Sequence, residues 1–161
     1  MRYKINNWPV GNIYLLIQFA ILFLLLYNQE KSKILAAIFS LCIAISLLDF
    51  LVFHGPMVFN SYAAYANGIS MIVLSLRFQQ RLMKDIRVEK IQNLPLLWLS
   101  FGILAYYGGT VFLFLFNNYL IRYFPHSYSS IWVMHNVLNI LKNVFLFVCV
   151  WKIFKSPKSA S

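Results

Sequence analysis

Long apolar runs, separated by short polar breaks, recur along this chain and constrain its fold before any motif is read. Five are recognisable, at about 11–27, 34–53, 57–76, 95–116 and 131–151. As a helix, a run of about 20 mostly apolar residues crosses the ~30 Å hydrocarbon core of a bilayer with all its backbone groups bonded internally. A soluble fold cannot absorb so much apolar surface. The 161 residues are 61% hydrophobic and 11% charged, with a mean hydropathy of +0.69, whereas soluble domains are roughly 45–50% apolar and about 25% charged. The expected fold is an all-α, polytopic transmembrane helix bundle of about five spans, forming a single domain over residues 1–161.

The breaks have recognisable chemistry. Asn28-Gln29-Glu30-Lys31 ends the first run, and His54-Gly55-Pro56 separates the second from the third as a tight helical hairpin. Pro95 opens the fourth run in a favoured first-turn position. The third run is interrupted by Asn60 and Asn67 and is the weakest of the five. No small-residue cleavage pattern follows the first run, so it reads as a retained span.

Orientation follows from the cations. Five spans put Lys31, Lys33, Arg77, Arg81, Lys84, Arg87, Lys90, Lys152, Lys155 and Lys158 on one side, against Arg2, Lys4 and Arg122 on the other. Cations are retained in the cytoplasm, so the N-terminus is expected outside and the C-terminus inside. The net charge of +10 is accounted for at headgroup level, and nucleic-acid binding is not expected. Within 77–94, Phe78, Leu82, Ile86 and Ile91 fall near helical spacing between cations. This predicts an amphipathic extension of the third helix lying on anionic headgroups, or a docking surface for a cytoplasmic partner, through Arg77, Arg81, Lys84, Arg87 and Lys90.

Polar residues inside the spans are the functional pointers, because hydrocarbon disfavours them. His135, Asn136, Asn139, Lys142 and Asn143 recur at steps of three and four on the fifth span. They predict a polar stripe facing other helices, with Val137, Leu138, Leu141, Phe145 and Val148 turned to lipid. Matching depth at about 1.5 Å per residue sets Asp49 near His135 and within reach of Lys142, and Asn67 near the level of Lys142. Asp49, His135, Asn139, Lys142 and Asn67 are therefore the candidate ligand or proton site in the outer half of the bundle, with interhelical hydrogen bonding as the structural alternative. His54, His126 and His135 are the available imidazoles for a metal, but they come from three segments without motif spacing, so no metal or cofactor is expected.

Gly102, Ala105 and Gly109 on the fourth span predict a small-residue face for close helix packing. Trp8, Trp98, Trp132 and Trp151 fall at the expected interfaces. Cys42 and Cys149 sit in apolar runs without a CxxC partner and read as small buried hydrophobes. Catalysis finds little support: HExxH is absent, Asp49 is the only acid within a span, and Ser129 and Ser130 near His126 lack a glycine-framed nucleophile turn.

The segment LPLLWLSFGILAYYGGTVFLFLFNN (94–118), followed by WVMHNVLNILKNVFLFV (132–148), resembles the membrane-embedded sensor regions of some bacterial histidine kinases. No kinase sequence follows Phe154 here, so the resemblance implies a sensing module that signals through a partner. The expected protein is a non-enzymatic module of a bacterial inner membrane, sensory or part of a larger membrane complex, or else a small transporter or channel subunit working as a homo-oligomer.

Overall fold

The computed structural model describes residues 7–53, 55, 57–84 and 94–155, and it is all-α. Five helices follow one another: α1 (Trp8–Glu30), α2 (Lys33–Leu48), α3 (Ser61–Lys84), α4 (Pro95–Tyr123) and α5 (Pro125–Lys155). A π-helical turn, Asp49–Phe53, continues α2. Proline sits in the opening turn of α1, α4 and α5, where its missing N–H forfeits no helix bond.

Short connections join α1 to α2, α2 to α3 and α4 to α5, so the helices of each of these pairs run antiparallel. Lys31 closes α1 in the left-handed conformation (φ 44°), its N–H donating to the Tyr27 carbonyl at 2.8 Å. Gly55, at φ +70°, makes the turn between α2 and α3, a conformation costly for residues with a Cβ. Phe124 alone joins α4 to α5, its N–H donating to Leu120 at 2.9 Å.

Three helices, α3, α4 and α5, have bounds that differ from the apolar runs read in the sequence. α3 starts at Ser61 and runs on to Lys84, because Phe78 is buried and Leu82 half-buried among its neighbours. The amphipathic segment is thus helical as far as Lys84; Arg87, Lys90 and the rest of 85–93 lie outside the described residues. α4 continues to Tyr123 and α5 begins at Pro125, so most of the expected 117–130 connection is helix. The side chains of Asn117, Asn118 and His126, and all of His54, lie outside what is described.

Among the described residues, four helical stretches are long and apolar enough to cross a membrane: Trp8–Gln29, Lys33–Phe53, Pro95–Phe116 and Trp132–Lys155. α3 is long enough but insufficiently apolar. It packs against α1, α2 and α4, and Ser61, Asn67, Ser70 and Ser75 are buried there with Met71, Leu74 and Phe78. A helix packed on three others needs apolar residues only on its open side, where Tyr62, Ile69, Val73 and Leu76 are exposed. The core around it joins Phe19, Phe23 and Leu26 of α1 to Met71 and Leu74 of α3 and Ile103, Tyr106 and Tyr107 of α4.

The two ends of the bundle differ in charge. At one end the α1 and α3 C-termini meet, Arg81 donating to the Gln29 carbonyl at 2.6 Å, and Lys152 of α5 lies 5.5 Å from the Trp98 ring of α4. Lys31, Lys33, Arg77, Arg81, Lys84, Lys152 and Lys155 all belong to this end. At the other, Trp8, Phe59 and Trp132 form an aromatic cluster with centroids 5.5–6.4 Å apart, and Arg122 is the one cation there among the described residues.

Candidate functional site

The polar residues picked out by depth fall into two groups on different sides of the core. The first is built on α1, α2 and α3. Asp49 is fully buried, and its Oδ2 accepts the Ala63 N–H at 2.8 Å in the first turn of α3. A helix N-terminus leaves such N–H groups without internal partners and carries positive partial charge. A carboxylate delivered from the end of α2 answers both needs.

Asn12 of α1 fixes the approach to α3. Its Nδ2 donates to the Val58 carbonyl at 2.8 Å, and its Oδ1 accepts the Asn60 N–H at 3.2 Å. One turn deeper, Asn67 Nδ2 donates to Ser46 Oγ at 3.2 Å, and Ser46 donates to the Cys42 carbonyl at 2.8 Å. Asn67 Oδ1 is left buried with no hydrogen-bond partner.

These side chains form the floor of a cleft of about 240 Å³ between α1, α2 and α3. Asn12, Ser46, Asn60 and Asn67 supply its polar part, while Ile13, Leu16, Leu47 and Phe50 supply apolar walls. Ile13 and Leu47 are exposed, so the opening faces the surroundings of the bundle. The volume is below the usual 300–1,000 Å³ of small-molecule pockets. It suits a small molecule or one end of a longer one.

The second group centres on Lys142, 4% exposed in the middle of α5. Its Nζ donates to Gln18 Oε1 of α1 at 2.8 Å and lies 4.4 Å from the Tyr106 ring centroid of α4. Gln18 Nε2 in turn donates to Tyr107 Oη at 3.3 Å. A cation over an aromatic face is stabilised by the ring quadrupole, so three helices share one ammonium group. Two turns away, His135 sits among Trp132, Tyr106 and Phe114, with ring centroids 4.7, 5.6 and 5.6 Å away. His135 Nδ1 and Asn139 Oδ1 are buried without hydrogen-bond partners.

The structure therefore corrects the expected pairing of Asp49 with His135 or Lys142. Asp49 caps α3, Lys142 engages Gln18, and His135 is boxed by aromatic rings. Depth along a helix says nothing of direction around it, and these side chains point into different interfaces. The expected stripe on α5 also divides. His135, Asn139 and Lys142 face inward, but Asn136 and Asn143 are exposed. Leu138 and Phe145, expected toward lipid, pack on α4 instead: a Cβ at Gly109 would lie 2.5 Å from Leu138 Cδ1, and one at Gly102 would lie 2.7 Å from Phe145 Cβ. Ala105, on the same helix, is half-buried.

Sequence reasoning missed Gln18, Asn12 and Ser46. Gln18 had a usable signal, being a lone amide in the middle of an apolar run. Among the described residues no cluster of three His, Cys, Asp or Glu side chains could hold a metal. No family model, curated protein or solved structure matches this chain.

Proposed function

We propose that the chain is a non-enzymatic, multi-pass protein of a bacterial cytoplasmic membrane, with five spans, N-terminus outside and C-terminus inside, that binds a small amphiphile in its outer half and relays occupancy to a partner. The observation that carries this reading is the cleft between α1, α2 and α3. Its apolar walls suit an alkyl chain, and the amides of Asn12, Asn60 and Asn67 in its lining suit a polar end such as a hydroxyl or amino group.

The distribution of cations supports the orientation, since the end rich in Lys and Arg belongs in the cytoplasm. It also makes the Asn67 cleft an outer-leaflet feature. α3 supplies the relay. Ala63, Ala64 and Asn67 in its first two turns line the cleft, and Arg77, Gln80, Arg81 and Lys84 line a groove near its other end. A shift of this one helix couples the ligand to a basic surface fit for anionic headgroups or an acidic protein partner. The Lys142–Gln18 network is closed by its own partners and acts as interhelical support.

Photolabelling of the full chain in membranes with a diazirine-bearing octanol tests the binding reading. Label is expected near Ile13–Leu16 and Leu47–Phe50, competed by octanol and not by octane. Asn67→Leu removes one hydrogen bond and should cut labelling about 10-fold, and Ala64→Phe should fill the cleft and abolish it. Labelling spread over exposed residues of α5 and indifferent to Ala64→Phe would refute the site.

A further inference from the structure

α5 is the least embedded of the apolar helices: 11% of its apolar stretch is buried, against 50% for α4. Its outward face has an ordered pattern. Val133, Asn136, Ile140, Asn143, Phe147 and Val150 follow at alternating steps of three and four, and every one is exposed. The same spacing continues to Phe154, 84% exposed. A 3.5-residue repeat keeps one seam in register with a partner helix along its whole length and gives a left-handed crossing.

Lipid is a poor cover for this seam because of its two asparagines. At 1.5 Å per residue they lie about 10 Å apart along the axis. With the apolar stretch Trp132–Lys155 centred in a ~30 Å hydrocarbon layer, Asn143 lies near mid-membrane and Asn136 about 4 Å inside the outer edge. The Asn143 side chain is too short to reach headgroups from there. Its amide needs partners, and interhelical amide bonds are an effective source of association in membranes.

We infer that a second copy of this chain covers the seam, giving a parallel two-fold dimer through α5. All copies insert with one orientation, so a parallel pair needs no other component. Across a two-fold axis Asn136 meets its own counterpart, and Asn143 meets its own. An amide suits such self-pairing because it both donates and accepts. The intervening Val133, Ile140 and Phe147 pack against themselves by the same symmetry. Lys152 is folded toward Trp98 of α4, which keeps its charge out of the seam. The dimer rests on the membrane reading but not on the cleft, which lies on α1, α2 and α3.

Cysteine cross-linking of the full chain in carbonate-washed native membranes tests this. Ile140→Cys should give a covalent dimer of twice the chain mass on iodine oxidation, at least about five times the yield of Ile21→Cys on the exposed face of α1. The parent chain, whose Cys42 and Cys149 are buried, should give none. Adding Asn136→Val and Asn143→Val should reduce the Ile140→Cys dimer about 10-fold or more; both changes make a lipid-facing surface more apolar and leave the fold intact. Equal yields at positions 21 and 140, an adduct of another mass, or an unaffected double-valine variant would overturn the dimer. So would absence of product from chain retained in the washed membranes, whereas release of the chain by carbonate would overturn the membrane reading itself.

Discussion

α3 and α5 invert the usual relation between composition and surroundings. α3 is too polar to register as a span, yet it packs on three other helices and buries ten residues, among them Ser61, Asn67, Ser70 and Ser75. α5 is apolar enough to register, yet most of it is exposed, two asparagines included. Hydropathy measures what a helix would need if lipid surrounded it. It describes α5 well on most of its circumference, and α3 only on the side that carries the exposed Tyr62, Ile69, Val73 and Leu76, because the polar residues of α3 face other helices.

The sharpest way to break this contrast is to put the same bulk on each helix. A Cβ at Gly68 already lies 3.4 Å from Tyr107 Cδ1 and Val111 Cγ2, so Gly68→Leu should cost about 3 kcal/mol or more by overpacking. Val137→Leu on the exposed face of α5 should stay within about 0.5 kcal/mol. Unfolding in mixed detergent micelles measures both. Similar losses at the two sites would mean that α3 is no more enclosed than α5.

Removing the cap of α3 is the next largest change. Asp49→Ala strips the Ala63 N–H of its charged acceptor and should destabilise the bundle by about 1.5–3 kcal/mol, with Asp49→Asn recovering part of the loss. If Asp49→Ala unfolds at the parental denaturant midpoint, the first turn of α3 is held by other means.

The inward side of α5 is probed by two glycines of α4. Gly102→Ala drives a methyl group toward Phe145 Cβ, next to the Lys142 carbonyl at 3.3 Å, where neither neighbour can yield easily. About 1–3 kcal/mol should be lost. Gly109→Ala meets the tip of Leu138, which can rotate away, and should cost less. The reverse order in thermal unfolding would show that α5 sits differently on α4.

Smallest is the coupling between α5 and α1. Lys142→Met and Gln18→Leu, singly and together, should give an interaction energy of about 0.5–2 kcal/mol in a double-mutant cycle. Additive effects would mean that the 2.8 Å contact contributes nothing to stability.

The sequence made the four apolar helices legible because lipid imposes length and apolarity on whatever faces it. Gly55 marked the turn between α2 and α3, and the cations marked a basic end. The starts and stops of α3, α4 and α5 were less legible, since Ser61, Phe78 and Phe124 owe their roles to contacts between helices. Within the site, Asn67 and Lys142 stood out as polar groups in apolar runs, but their partners did not. Lys142 finds Gln18 across 124 positions of sequence, and only the rotation of α1 and α5 about their axes brings the two together. Asn136 and Asn143 looked like members of the inward stripe because 3.6-residue periodicity does not separate adjacent faces over three turns.

On the proposed membrane reading, Asp49 also sets a condition on how the chain enters the bilayer during synthesis. α3 emerges from the ribosome before α4, the neighbour that will shelter its other side, and is too polar to partition into lipid alone. α2, already apolar and only a short turn upstream, carries the carboxylate that completes the first turn of α3. Under the proposed five-span reading, the hairpin of the two and not α3 alone is the expected unit of insertion, with α3 entering as the passenger of α2.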